Sequence, residues 1–102
     1  MFFSKNLLLS EKLDNHMGIL EDLKQNALPK YCFLLCINNA SSNLMDIYFS
    51  GEFLKSGVNV DDLLIIAICK DKNDAKDKCA EILRDFIVKN KSLDGFKDKF
   101  RL

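Results

Sequence analysis

Two short apolar segments stand out in the middle of the chain. Residues 31–37 and residues 63–69 each contain seven consecutive apolar side chains. A strand that is apolar on both alternating faces is typical of the interior of a sheet covered on both sides. Between them, residues 44–49 alternate, which predicts a half-buried edge strand in a hairpin with the first strand. The pattern therefore predicts three strands.

A helical pattern precedes the first strand. Apolar side chains recur at helical spacing after Ser10, so we predict a helix over residues 10–25 with Ser10 as its N-cap. Pro29 lies just beyond its end, as is common after helices. Residues 1–9 are predicted to be a lead-in to this helix or a separate turn. The apolar residues of the pattern are Leu13, Met17, Ile19, Leu20 and Leu23.

The strongest periodicity lies near the end of the sequence. One apolar stripe runs along residues 74–89, after Asn73 as the predicted N-cap, and predicts a helix. Leu93, Phe96 and Phe100 continue at helical spacing and predict a short tail helix. These three side chains either dock on the protein's own core or form an amphipathic element for a partner protein.

These elements predict an α+β fold: a small three-stranded sheet in α-β-β-β-α order, flanked by N- and C-terminal helices. The order of strands across the sheet is second-first-third or second-third-first. We expect a single domain over residues 1–102, with residues 1–9 and 93–102 at its periphery. Because two strands are apolar on both faces, either helices cover both sides of the sheet or a second copy covers one.

Composition narrows the class of protein. The chain has 48% hydrophobic residues, with four glycines and one proline in 102 residues, which excludes disordered, linker-like and collagen-like proteins. Its longest apolar runs fall well short of the roughly 20 residues that a membrane helix needs. No secretory signal pattern is present, so we expect a cytoplasmic protein with reduced thiols.

Charge argues against nucleic acid as a partner. The 15 basic and 15 acidic side chains cancel, and the lysines near residue 75 are interleaved with aspartates. Binding a phosphate backbone requires a clustered positive surface, which this pattern does not supply. A net charge of zero gives little repulsion between copies and therefore permits self-association.

No set of residues has the spacing of a catalytic, metal or cofactor site. Cys32 and Cys36 fall in one predicted strand, about 13 Å apart, too far for one metal ion or a disulfide. His16 is the only histidine and has no recognisable nucleophile beside it. The cysteines are predicted to be small buried apolar side chains. A thiol enzyme or redox sensor would instead require an exposed Cys69 or Cys79 with a lowered pKa.

Part of the chain resembles a known group of proteins. The segments that carry the resemblance are Phe33-Leu34-Leu35-Cys36-Ile37, Asn43-Leu44-Met45-Asp46-Ile47, Ser50, Ile65-Ile66-Ala67-Ile68-Cys69-Lys70 and Asp74-Ala75. Over about residues 31–88 they are similar to small uncharacterised proteins carried by bacterial mobile elements. The chain departs from that group at Cys69, where the pattern tends to have a smaller residue. The resemblance implies a bacterial protein that binds another protein, such as a host defence nuclease, and it brings no catalytic residue.

We therefore predict a non-enzymatic protein-interaction module, self-associating as a homodimer, that is an accessory or inhibitor protein of a mobile element. A protein partner and a homo-oligomer are expected, and neither nucleic acid nor a membrane. The predicted partner-binding residues are Leu93, Phe96, Phe100, Tyr48 and Phe53. The alternative is a small-ligand-binding sensor with a pocket between sheet and helix, and the predicted lining residues are Phe33, Phe49, Ile66 and Phe86.

Overall fold

The computed structural model describes residues 2–25, 31–38, 42–51 and 63–99 of the chain. Within these ranges the elements follow in the order β-α-β-β-β-α-α. The strands are β1 (Phe2–Leu9), β2 (Phe33–Asn38), β3 (Asp46–Phe49) and β4 (Leu63–Cys69). The helices are α1 (His16–Lys24), α2 (Lys72–Asn90) and α3 (Phe96–Lys99).

The four described strands form one mixed sheet in the order β1-β4-β2-β3. Strand β1 runs parallel to β4, whereas β2 is antiparallel to both β4 and β3. The predicted α+β class is confirmed. The predicted second-first-third order also holds for β3, β2 and β4, with β3 at the edge and in a hairpin with β2.

The predicted three-stranded sheet and the α-β-β-β-α order are wrong, because residues 2–9 form a fourth strand. Strand β1 pairs with β4 at Phe2 and Phe3 and again at Leu8 and Leu9, with a register shift between the two pairs. A strand interrupted in this way does not alternate apolar and polar residues along its length. For that reason the residue pattern does not reveal it.

Helices cover both faces of the sheet. Of the two arrangements expected for strands that are apolar on both faces, this is the one in which no second copy is needed to cover a face. On one face, α1 packs on a cluster that contains Ile19, Cys32, Leu34, Cys36, Leu63, Ile65 and Ile68. On the other face, α2 and α3 pack on a cluster that contains Leu35, Ile37, Ile66, Ala67, Cys69, Ala75, Ile82, Phe86 and Phe96. The seven-residue apolar strands are thus explained by burial on both sides.

A bulge interrupts the alternation of β4. In the register with β2, Ala67 pairs with Leu35 and Ile65 pairs with Cys36, so Ile66 has no partner of its own. The extra residue places Ile66 and Ala67 in the same cluster, beneath α2. Residues after the bulge therefore face the opposite side from the one that strict alternation along the sequence would assign.

Both main helices begin at other residues than predicted. The N-cap of α1 is Asn15, whose side chain accepts a hydrogen bond from the backbone N–H of Gly18. A Cβ on Gly18 would lie only 2.3 Å from the Asn15 Nδ2 atom, so any other residue at this position would require the Asn15 side chain to move. The N-cap of α2 is Asp71 rather than Asn73. Ser10, the predicted cap of the first helix, instead belongs to a buried polar cluster at the end of β1.

Candidate functional site

The most polar part of the interior lies where the parallel strands β1 and β4 end. The Ser10 hydroxyl donates a hydrogen bond to Asp74 Oδ1 at 2.8 Å. The Lys70 backbone N–H donates to Asp74 Oδ2 at 2.9 Å. Ser10 is 0% exposed and Asp74 is 2% exposed, so this carboxylate joins the end of β1 to the β4–α2 connection inside the protein.

Electrostatics keep the Asp74 carboxylate ionised. Burial raises the pKa of Asp74 and is the largest single effect, while the hydrogen bonds from the Ser10 hydroxyl and the Lys70 backbone N–H lower it. The positive charges of Lys12 and Lys78 act in the same direction, and the net pKa of Asp74 lies below its ordinary value of 3.8. An ionised carboxylate with both oxygens already hydrogen-bonded is suited to holding structure rather than to moving protons.

A buried lysine extends the cluster toward the surface. The Lys78 ammonium donates to Glu11 Oε2 and to Glu81 Oε2, both at 3.1 Å. Burial lowers the pKa of Lys78, but the two carboxylates raise it by more, and the net pKa lies above its ordinary value. Lys78 therefore stays charged and ties α2 to the turn after β1, instead of serving as a base.

The start of α2 is occupied by the chain's own carboxylates. A strand that leads into a helix N-terminus is a common phosphate site, because the first N–H groups of the helix point outward. Here Asp71 Oδ1 accepts from the Asp74 N–H at 2.7 Å, and the Asp74 carboxylate lies beside it. The Asp74 N–H in the first turn is thus already bonded, and the two carboxylates disfavour a phosphate group at this end of the helix.

His16 contacts the same cluster from α1. Its Nε2 atom lies 2.9 Å from the Ser10 carbonyl oxygen, and a carbonyl only accepts, so Nε2 carries the proton. The ring thus fastens the first turn of α1 to the end of β1. The Ser10 hydroxyl beside this ring is buried and donates to Asp74, so it is not placed as a nucleophile that His16 activates.

All four cysteines lie in the described ranges and none forms a disulfide. Cys32, Cys36 and Cys69 are buried, and Cys79 is half-buried. Burial raises the pKa of all four thiols. The pKa of Cys36 reaches about 12, with a smaller contribution from the Asp46 charge. The pKa of Cys69 also reaches about 12, with a smaller contribution from the Asp74 charge. A thiol enzyme or redox sensor requires an exposed thiol with a lowered pKa, whereas the pKa of both Cys69 and Cys79 is raised.

We expect thiol labelling to follow this order of burial. At pH 8 a neutral alkylating reagent should modify Cys79 first and Cys69 only as fast as the protein opens, because a pKa near 12 leaves about a thousandfold less thiolate than a free cysteine has. Time-resolved mass spectrometry of the native protein measures this, and a Cys79→Ser variant identifies the fast phase. Fast native labelling at Cys69 would contradict it.

The three predicted partner-binding residues that the structure describes, Leu93, Phe96 and Tyr48, are not gathered on one surface. Phe96 is 1% exposed and meets the Phe86 ring edge-on, with 5.1 Å between ring centres. Leu93 packs against the same cluster, and Tyr48 packs against the cluster on the opposite face. Phe53 and Phe100 lie outside the described residues. Of the two roles predicted for the tail, docking on the protein's own core and binding a partner, the structure supports the first for Phe96.

The four residues predicted to line a ligand-sensor pocket each pack against other side chains of the described residues. Ile66 and Phe86 are buried in the cluster beneath α2. Phe33 and Phe49 pack on each other across the β2–β3 hairpin, with ring centres 5.3 Å apart. These four side chains fill the interior and the sheet edge.

An apolar cleft lies instead between α1 and the edge strand β1. It has a volume of about 380 Å³ and is open at the surface. We call the residues that line it the cleft surface: Phe3, Leu7, Met17, Leu20, Glu21, Leu23 and Lys24. Among them Met17 is 74% exposed, and Leu20 is also an exposed large apolar side chain.

The geometry of α1 explains why these side chains remain exposed. Ile19 and Leu23 pack toward the sheet, so Met17 and Leu20 lie on the flank of the helix, above β1. The sequence pattern combines all these residues into one apolar stripe and gives no reason to divide it. Phe3 and Leu7 are apolar residues outside the predicted helix and could have indicated a second wall of the cleft. They indicate it only once β1 is known to be a strand beside α1.

Comparisons with known proteins give no relative from which a function could be inferred. No protein-family model, curated protein or solved structure matches this chain. In the described ranges, no three histidine, cysteine or acidic side chains are grouped closely enough to hold a metal ion. Among the described helices, none has both the length and the apolar character to cross a membrane.

Proposed function

We propose that this protein is non-enzymatic and acts by binding other protein chains through the cleft surface. The observation that carries the proposal is the exposure of Met17 and Leu20 beside an open apolar cleft. Adjacent exposed apolar side chains with a polar rim are typical of surfaces that another molecule covers. Glu21 and Lys24 supply that rim.

The state of the ionisable side chains supports a binding role over catalysis. Asp74 and Lys78 are each held by two partners, and the pKa of each is displaced away from neutrality. General acid–base catalysis instead uses groups with a pKa near the working pH. The pKa values of the Cys69 and Cys79 thiols are raised, which lowers the fraction of reactive thiolate. The proposed activity therefore needs no proton transfer or covalent step.

The biological setting is proposed on the resemblance alone. Proteins of mobile elements with this size often bind a second protein, so an accessory or inhibitor role in a bacterial cytoplasm is consistent with a binding surface. Self-association is part of the same proposal, because an exposed apolar surface on a protein with zero net charge favours contact between copies.

A substitution at the cleft surface tests the proposal. Leu20→Glu should weaken protein binding about tenfold or more, since it places a charge where an apolar contact is needed. Stable complexes from source-cell extracts would be identified with the wild-type protein and then rebuilt from purified components. Val88→Glu is the matched control, because Val88 is 67% exposed and lies on α2, outside the cleft surface. Equal loss in both variants, or loss in neither, would contradict the proposal.

A small-ligand sensor is the second candidate, and the volume of the cleft favours it. About 380 Å³ falls within the usual range for small-molecule sites, roughly 300 to 1,000 Å³. The site would lie between sheet and helix, as the alternative prediction held, but with other lining residues. Native mass spectrometry distinguishes the two functions. A small molecule that stays with the wild-type protein and leaves the Leu20→Glu variant would support the sensor.

A further inference from the structure

We infer that the cleft surface binds the cleft surface of a second copy of this chain, in a two-fold symmetric dimer. This inference rests on the proposed function and names the partner. In a two-fold interface the same patch is used by both subunits, so the patch must be complementary to itself. Such a patch needs a projection, a matching recess and charges of both signs.

The cleft surface has the first two of these features side by side. Met17 projects from α1 with 74% of its surface exposed, while the cleft beside it is lined by Phe3, Leu7 and Leu23. A methionine side chain is long and flexible, so it fits an irregular apolar recess well. In the dimer, Met17 of each copy fills the cleft of the other.

The rim supplies the third feature. Glu21 and Lys24 lie on successive turns of α1, and both are exposed at the cleft. In a dimer whose two-fold axis is perpendicular to α1, the two α1 helices run in opposite directions. Glu21 of one copy then faces Lys24 of the other, and the pairing occurs twice. The net charge of zero leaves no overall repulsion to oppose this contact.

The contact is made by side chains and does not extend the sheet. Strand β1 lies at one edge of the described sheet, but its central residues Lys5 and Asn6 are exposed, and its register is interrupted between Phe3 and Leu8. Exposed lysines and irregular register on an edge strand discourage the addition of another strand. The second copy is therefore expected above the edge strand, against α1.

The first experiment measures the dimer and its dependence on Met17. Sedimentation equilibrium from about 1 µM to about 300 µM should show a reversible dimer for the wild-type protein. Met17→Glu should raise its Kd about tenfold or more, and Val88→Glu should leave it unchanged. Because both positions are largely exposed, circular dichroism should show an intact fold in both variants. A wild-type monomer, or a dimer that Met17→Glu leaves unchanged, would overturn the inference.

A mixture of charge variants tests the pairing itself. Glu21→Lys makes the rim doubly positive, and Lys24→Glu makes it doubly negative, so each variant alone should form a weaker dimer than the wild type. An equimolar mixture should form the mixed dimer in excess of the statistical half, which native mass spectrometry resolves by mass. A statistical mixture would overturn the assigned pairing of Glu21 with Lys24.

The two proposals fail separately. A strictly monomeric wild-type protein that still binds another protein through Leu20 would overturn the dimer and the proposed self-association, but leave the proposed binding of other proteins standing. A dimer disrupted by Met17→Glu, without loss of any foreign partner in Leu20→Glu, would support self-recognition alone. If neither Met17→Glu nor Leu20→Glu weakened any complex, the cleft surface would serve neither in self-association nor in binding another protein.

Discussion

Phe96→Ala should lower the free energy of unfolding by about 3 to 5 kcal/mol, the usual cost of removing a buried phenylalanine. Phe96 is 1% exposed and packs edge-on against Phe86, so truncation leaves a cavity between α2 and α3. Such a loss is a large part of the stability of a domain of this size. Urea unfolding followed by circular dichroism, with the slope of the transition compared between proteins, measures it.

A matched substitution on the surface provides the control. Val88→Ala removes an apolar side chain that is mostly exposed on α2, and it should change the free energy of unfolding by less than about 0.5 kcal/mol. An unchanged unfolding midpoint for Phe96→Ala would show that α3 does not dock on the core. It would also return Phe96 to the set of partner-binding residues, where the sequence pattern first placed it.

Asp74→Asn should lower the free energy of unfolding by about 2 to 3 kcal/mol at neutral pH. The amide can still accept from the Ser10 hydroxyl, but its NH2 group then faces the Lys70 backbone N–H, two donors without an acceptor. It also removes the negative charge from the first turn of α2. Urea unfolding of the two proteins at pH 7 and at lower pH measures the difference.

The sign of the pH dependence follows from the lowered pKa of Asp74. A carboxyl group whose pKa is lower in the folded than in the unfolded state stabilises the fold above its unfolded pKa. That contribution stays complete down to about pH 4 and is lost as the pH falls further, through the lower folded pKa. The advantage of the wild-type protein over Asp74→Asn should therefore shrink between pH 4 and the most acidic conditions.

Asp77→Asn is the matched control for the carboxylate. Asp77 lies on the same helix but is 77% exposed, and its contact with Lys12 is 4.0 Å long. Exposed ion pairs of this kind contribute little to stability, so the change should cost less than about 1 kcal/mol. Ser10→Ala should reproduce part of the Asp74→Asn loss, and the double variant should lose less than the sum. Equal losses for Asp74→Asn and Asp77→Asn would show that the buried cluster does not hold β1 in place.

The sequence alone determined the elements whose burial is periodic. The two strands that are apolar on both faces and the amphipathic stripe of α2 were predicted correctly, because burial on a strand or helix repeats every two or about 3.6 residues. The prediction of buried cysteines also agrees with the structure at Cys32, Cys36 and Cys69, whereas Cys79 is half-buried. In each case the structure of a residue could be predicted from the residues next to it in the sequence.

Only the tertiary structure decided the features that depend on distant residues. The hydrogen bond between Ser10 and Asp74 joins positions 64 residues apart, and neither residue's neighbours indicate it. Strand β1 exists through pairing with β4, and its interrupted register removes the alternation that would have marked it. The cleft surface arises because α1 lies over that strand and leaves Met17 beside the recess. A local pattern specifies which side of an element is buried, but which elements meet depends on the packing of the whole chain.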